Sequence, residues 1–327
     1  MKILLALVLA TVLGGCANVH RSDLKIADSA HENCVRTEVI SLPKAYPAPD
    51  FYDREEVANI YLPHAIAALN SYAYKSQDGT VYEATGEFSN FTLKQYDARW
   101  TKQARVLKPS GLALDYYFDE SDPEIFKVLV AFRGTEFESI SDWYSNLSWF
   151  TQLLPLRNQY DVAREVFVEI RSKAKEKQGA KKTTFITTGH SLGGGLAEHI
   201  AHAFPCTSAV VFDSSFVVNR YRLAQPYEDA QVVHIFDKDD ELTFVRRLFS
   251  PDAETPTYRR YRLNAVARGS MQHGSERLIV GMARTVATCQ AREGSTGCPK
   301  SDQRAKQVYC NSRYARLEQN EPHCAKR

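Results

Sequence analysis

The sequence predicts an α/β protein, a sheet with helices on both faces, carrying a cysteine-rich appendage at its C-terminus. Three observations lead there. Short apolar runs alternate with helix-compatible stretches between residues 53 and 288, the signature of strands that need helices to cover them. A glycine-rich turn, Gly189 to Gly195, joins one such run to one such helical stretch. Beyond that region, Cys289, Cys298, Cys310 and Cys324 crowd together among Gly294, Gly297 and Pro299.

Composition sets the bounds. The chain has 327 residues, 44% of them hydrophobic and 24% charged. That is a globular balance, which excludes wholesale disorder. Lys plus Arg number 41 and Asp plus Glu 39, for a net charge of +2. Nucleic-acid binders carry a clear basic excess, so no nucleic-acid partner is expected. Only one apolar run approaches membrane character, and it stands at the start, so a polytopic membrane protein is excluded.

That first run, Ile3 to Leu13 behind Met1-Lys2, is too short to span a bilayer, which takes about 20 residues. A basic start and a short apolar core are the pattern of a secretory signal. Residues 1–15 are therefore expected to be a signal peptide. The stretch Leu13-Gly14-Gly15-Cys16 resembles the bacterial lipobox, which implies that Cys16 carries lipid and becomes the mature N-terminus. Ala17 stands where the Gram-negative sorting pattern would place Asp for retention, which implies the outer membrane. Setting Cys16 aside leaves Cys34, Cys206, Cys289, Cys298, Cys310 and Cys324, an even set suited to disulfides in an exported chain. No CxxC pair occurs, which argues against a zinc site.

Residues 16–50 are polar and end in Pro43, Pro47 and Pro49, as a tether would. From Asp53 to Tyr74, Val57, Ile60, Tyr61, Ile66, Ala67 and Leu69 recur at helical spacing, and Pro63 is expected to kink or split that helix. Leu112 to Phe118 reads as a strand, and Lys127 to Phe132 as a buried one. Tyr160 to Lys177 gathers Val162, Val166, Phe167, Ile170 and Ala174 on one face, so it is a helix. Thr183 to Thr188, Ala209 to Phe212 and Val232 to Phe236 are strand-like, and Leu196 to Phe204 and Ser275 to Thr288 are helical. The organisation expected is a core domain over 51–288 and a disulfide-rich tail over 289–327.

Gly189-His190-Ser191-Leu192-Gly193 fits G-x-S-x-G between a strand and a helix, the context the motif needs. A serine on so tight a turn is strained, and glycines two residues either side remove clashes. Its hydroxyl then meets the positive end of the following helix. Ser191 is the candidate nucleophile, with Gly189, His190 and Gly193 completing the elbow.

Together with Phe132-Arg133-Gly134-Thr135 upstream and Asp142-Trp143 after it, this segment resembles the class 3 lipases over about Asp53 to Thr288. The resemblance implies an α/β-hydrolase fold, a mostly parallel sheet flanked by helices, and hydrolysis of acylglycerols or phospholipids. It implies an oxyanion hole from the backbone N–H of Leu192 and from Thr135, which follows a strand directly. It implies the order Ser, acid, His. Among later histidines, His199 and His202 lie on the helix leaving the elbow, His234 within a strand, and His323 in the tail. His273, between a strand and the last helix of the core, is the candidate base. The family spacing places the acid at Asp240, with Asp237 and Asp239 as fallbacks. The family's His-x-Gly-Phe element is missing, and the aromatic-rich stretch 136–155 reads either as core or as a lid and acyl-binding wall.

The expected protein is a lipid-anchored serine ester hydrolase of the bacterial cell envelope, a triacylglycerol lipase or a phospholipase or lysophospholipase. It acts through a Ser-Asp-His triad and an acyl-enzyme, with no metal and no organic cofactor. Its partners are a lipid ester and the membrane surface reached through Cys16. Two alternatives stand beside it. One is a non-catalytic envelope lipoprotein that keeps the fold for binding, which a broken constellation would mark. The other is a lipid acyltransferase, which needs a site that excludes water.

Overall fold

The protein was analysed as a computed structural model. It describes residues 33–40, 54–72, 74–75, 81–82, 92–134, 159–215, 223, 226–227, 229–237, 257–263, 275–288 and 303–310. The elements in chain order are α1 (Arg54–Asn70), β1 (Tyr74–Lys75), β2 (Val81–Tyr82), α2 (Leu93–Tyr96), β3 (Trp100–Leu107), β4 (Ala113–Asp119) and β5 (Ile125–Phe132). There follow α3 (Gln159–Gln178), β6 (Lys182–His190), α4 (Leu192–Ala203), β7 (Thr207–Phe212), β8 (Val232–Asp237), β9 (Tyr258–Leu263), α5 (Ser275–Thr288) and α6 (Gln303–Cys310).

β3 to β9 form one seven-stranded sheet in sequence order. β3, β4 and β5 pair antiparallel, and β5 through β9 pair parallel. Parallel strands need crossovers, which α3 supplies between β5 and β6 and α4 between β6 and β7. Alternation along each strand splits the core into two layers. Val128, Val130 and Phe132 of β5 join Phe185, Val211 and Val232 beneath α3 and α4. Leu129 and Ala131 join Ile186, Val210, Val233 and Ile235 beneath α1 and α5. With both faces covered, the central strands are buried almost throughout, β5 as an apolar run and β6 with four buried threonines, Thr183, Thr184, Thr187 and Thr188, so neither shows an alternating pattern. The expected mostly parallel sheet with helices on both faces is the observed architecture.

Each helix buries the stripe its sequence offers. On α3, Tyr160, Ala163, Val166, Phe167, Ile170 and Ala174 are buried. Fully burying a side chain such as Phe167 contributes about 2–3 kcal/mol. Arg171, also on the buried side, stacks its guanidinium 4.6 Å from the Phe185 ring centroid and donates to Pro205 O at 3.1 Å. Burial pulls its pKa down to about 10. On α1, Val57, Tyr61, Leu62, Ala65, Ile66 and Ala68 are buried. Pro63 does not split this helix; packing against the sheet outweighs the hydrogen bond that proline removes.

The end of α1 is tied to the antiparallel side of the sheet. Asp115 of β4, fully buried, is met by Lys102 Nζ at 2.5 Å and by two guanidinium nitrogens of Arg105 at 2.7 Å. Arg105 Nη2 also donates to Asn70 O at 2.8 Å. A buried carboxylate is tolerable only with such partners.

Residues 33–40, within the stretch expected to act as a tether, form a strap across the N-terminal ends of β6, β7 and β8. Val35 N–H donates to Thr183 O at 2.9 Å, and Thr183 N–H donates to Asn33 O at 3.0 Å. Thr37 N–H donates to Thr184 Oγ1, and Ser208 Oγ to Thr37 O. Val39 N–H donates to Gln231 Oε1, and the Tyr61 hydroxyl to Val39 O at 2.7 Å. Cys34 is disulfide-bonded to Cys206, 172 residues away. At the other terminus, α6 was not anticipated. Ala305, Val308 and Tyr309 of this helix enter the core layer beneath α1 and α5. Cys310 is disulfide-bonded. Cys16, Cys289, Cys298 and Cys324 lie outside the described residues.

Candidate active site

β6 delivers Ser191 to the C-terminal edge of the sheet. Ser191 has φ 56 and ψ −126 and is followed at once by α4. Among the described residues only Ser191, Cys206 and Asp213 combine a side chain with positive φ. That conformation costs about 1–3 kcal/mol and persists only where its surroundings enforce it. Here Ser191 N–H donates to Phe212 O at 3.1 Å. Its carbonyl accepts from Gly194 N at 3.0 Å and from Ser215 N at 2.9 Å. The side chain makes no capping bond to α4. The first N–H groups of that helix, Leu192 among them, have no carbonyl within the helix to reach and carry its positive end.

The glycines of the motif act through close approach. A Cβ on Gly189 would overlap the carbonyl of Gly193, and a Cβ on Gly193 would overlap the carbonyl of Phe132. The end of β5 therefore lies against the start of α4. A Cβ on Gly134 would overlap the Tyr72 hydroxyl and stand 3.4 Å from Ser191 Cβ. The backbone that leads into Thr135 thus runs beside Ser191, the position a second oxyanion donor would need if Ser191 were the nucleophile. Thr135 itself lies outside the described residues.

His190 is buried, its Nδ1 3.1 Å from the Tyr72 hydroxyl, which is 3.4 Å from the His190 carbonyl oxygen. Tyr72 therefore clamps the elbow to the segment just past α1. Nothing in the sequence marked Tyr72, because its partner lies 118 residues away.

Three other histidines are engaged away from Ser191. His199 is fully buried, packed edge-on to Tyr160 with ring centroids 5.1 Å apart and 2.9 Å from Arg164 Nη1. His202 Nδ1 lies 3.0 Å from Tyr227 O. His234 Nε2 accepts from Ser214 N–H at 3.2 Å, so the ring proton sits on Nδ1, 3.3 Å from the Tyr258 hydroxyl. His64, on α1, accepts from Thr188 Oγ1 through its carbonyl at 3.3 Å. Burial pulls its imidazole pKa down to about 4 against an opposing pull from Asp97.

On the acid side, His190, Phe212 and Ile235 stand abreast in the strand register. β8 continues beyond that line to Asp237, which is 5% exposed. Asp237 N–H donates to Asp213 Oδ1 at 2.9 Å. Asp213 was also missed by sequence reasoning; an acidic residue immediately after an apolar strand was its signal. Asp239, Asp240 and His273 lie outside the described residues, as does 136–155. In the chain Asp239 and Asp240 follow β8 and His273 follows β9, the two strands beyond β7.

No curated protein sequence matches the chain. Among solved structures, similarity extends to lipase II from Rhizopus niveus, at 14% identity and TM-score 0.37 over 57% of this chain and 76% of that one. It extends to the M37 lipase, at 13% identity and TM-score 0.33 over 76% and 79%. A carboxyl esterase 2 from Tuber melanosporum matches at 11% identity and TM-score 0.30 over 66% and 87%. A phospholipase-like family model, the Tle-like phospholipase domain, matches residues 65–233, just over half of the chain. That stretch holds Thr135 and the whole elbow and stops before Asp240 and His273. The chain belongs to the Tle-like phospholipase domain family.

Proposed function

We propose that this protein is a serine hydrolase of lipid acyl esters, with phospholipids or lysophospholipids as the first substrates to test. The observation that carries the reading is Ser191, held at φ 56 at the head of α4 with the Gly134 backbone against it, in a chain of a phospholipase-like family. Ser191 Oγ attacks the ester carbonyl carbon while His273 takes its proton. Asp240 orients the imidazole and stabilises its positive charge. The Leu192 and Thr135 N–H groups stabilise the oxyanion, and losing one such donor typically costs about 3 kcal/mol. His273 then protonates the leaving alcohol, and water, activated the same way, hydrolyses the acyl-enzyme. Triacylglycerol hydrolysis and the finer class 3 lipase assignment belong to the same proposal.

The Cys34–Cys206 disulfide supports an oxidising compartment. With the signal-like start, it supports export and anchoring through a lipidated Cys16 in the bacterial envelope, at the outer membrane. The test of the chemistry is a fluorophosphonate probe on the full chain. Wild type should label and hydrolyse esters, and Ser191→Ala should do neither. Retained turnover in pure Ser191→Ala would overturn the assignment.

A further inference from the structure

We propose that Asp213 is a positioning residue, one that holds the end of β8, and the acid that follows it, in register with the nucleophile. The inference rests on the reading of Ser191 as nucleophile with its acid just beyond β8. Asp213 is the first residue after β7, the strand that separates β6 from β8. Its φ is 39 and it is 2% exposed. The left-handed turn lets consecutive residues address different strands. Phe212 O accepts the Ser191 N–H at 3.1 Å, and Asp213 N–H donates to Ile235 O at 2.9 Å. Asp213 Oδ1 accepts the Asp237 N–H at 2.9 Å. Ser214 N–H donates to His234 Nε2 at 3.2 Å, and Ser215 N–H returns to Ser191 O at 2.9 Å. Residues 212–215 thus grip both backbone polar groups of Ser191 and three positions toward the end of β8, His234, Ile235 and Asp237.

The carboxylate needs its own explanation. Glycine would satisfy the left-handed backbone without burying a polar side chain. What the carboxylate adds is an acceptor for Asp237 N–H, three residues before Asp240. Catalytic groups must be held within about 0.5 Å of their working geometry, and the end of a strand frays unless something fixes it.

The test compares Asp213→Gly and Asp213→Asn with wild type, as full chains. Readouts are kcat and KM on a p-nitrophenyl acyl ester and the rate of fluorophosphonate labelling, per folded molecule counted by circular dichroism. Asp213→Gly keeps the turn and loses the acceptor. Its kcat should fall about 10- to 100-fold, as for a misplacement near 1 Å, with KM unchanged. Asp213→Asn keeps an Oδ1 acceptor and tolerates the left-handed backbone, and should retain most of the wild-type kcat. A merely structural role would lower the melting temperature and leave kcat per folded molecule untouched. An active wild type with an unimpaired Asp213→Gly, or with Asp213→Asn as damaged as Asp213→Gly, overturns this proposal alone. A wild type that neither labels nor turns over overturns the Ser191 reading and this one with it.

Discussion

Replacing both Cys34 and Cys206 by serine removes a cross-link between residues 172 apart. In the chain-entropy picture a disulfide stabilises by restricting the unfolded ensemble, and closing a loop of that length contributes about 5 kcal/mol. Whole-domain stabilities are about 5–15 kcal/mol, so the loss is a large share of the total. The strap's hydrogen bonds to Thr183, Thr184 and Gln231 remain in the variant, so its folded state should be little changed. Urea denaturation of the oxidised proteins is the assay. The double serine variant should unfold at a clearly lower midpoint. It should also show a steeper dependence on urea, because an unfolded chain freed of the cross-link exposes more surface. In a thermal scan the shift should be roughly 10 °C downward. Non-reducing mass spectrometry first establishes that wild type carries the bond. If it does, and midpoint and slope are both unchanged in the variant, the cross-link does not restrict the unfolded chain and the reasoning fails.

Asp240→Asn should lower kcat by orders of magnitude on an ester substrate, with Asp237→Asn and Asp239→Asn milder; a larger effect at Asp239 would move the acid by one residue. His64 has a folded-state pKa near 4 against an ordinary 6.5, so between those values the unfolded chain binds more protons. Stability should therefore be complete above about pH 6.5 and decline by up to about 3 kcal/mol as pH falls toward 4. His64→Gln should flatten that decline in urea midpoints measured across pH, and an identical slope in the variant would place its origin elsewhere.

The central strands and long helices were legible because each has one dominant pattern. β5, β6, β7 and β8 are buried on both faces and read as short runs of apolar and β-branched residues, and α3 shows its stripe. The edges were not legible, for a physical reason. β3 carries Lys102, Gln103 and Arg105 on partly exposed positions, and β9 interleaves Arg259, Arg260 and Arg262 with Tyr258 and Tyr261. Edge strands with cations resist further pairing, and the same cations erase the apolar run that would reveal a strand. The start of α4 was hidden differently. Gly193, Gly194 and Gly195 each weaken a helix by about 1 kcal/mol relative to alanine, so the periodicity emerged only at Leu196. Contacts across the fold explain what propensity could not, since Gly193 meets Phe132 and Gly194 meets Ser214. Ser191 was recognisable because the G-x-S-x-G pattern that marks it is local in sequence, although Phe212 and Ser215, which hold its backbone, are not. Tyr72 and Asp213 were not, because their partners come from other elements.

The strap bears on how the molecule would be oriented if it were anchored through Cys16. It crosses the sheet at Thr183, whereas Ser191 stands just past the far end of the same strand. At about 3.3 Å per residue, the run from Thr183 to Ser191 covers about 26 Å. Residues 33–40 therefore lie at the pole opposite Ser191, and the bond from Cys34 to Cys206 pins them there. With an anchor at Cys16, the leash to Asn33 has a contour on the order of 60 Å when fully extended. A taut leash would turn the serine away from the leaflet that holds the anchor, and only a slack one looping round the body would bring it back. Mounted this way, the protein would present Ser191 to the aqueous side or to a facing bilayer more readily than to the leaflet that held the anchor.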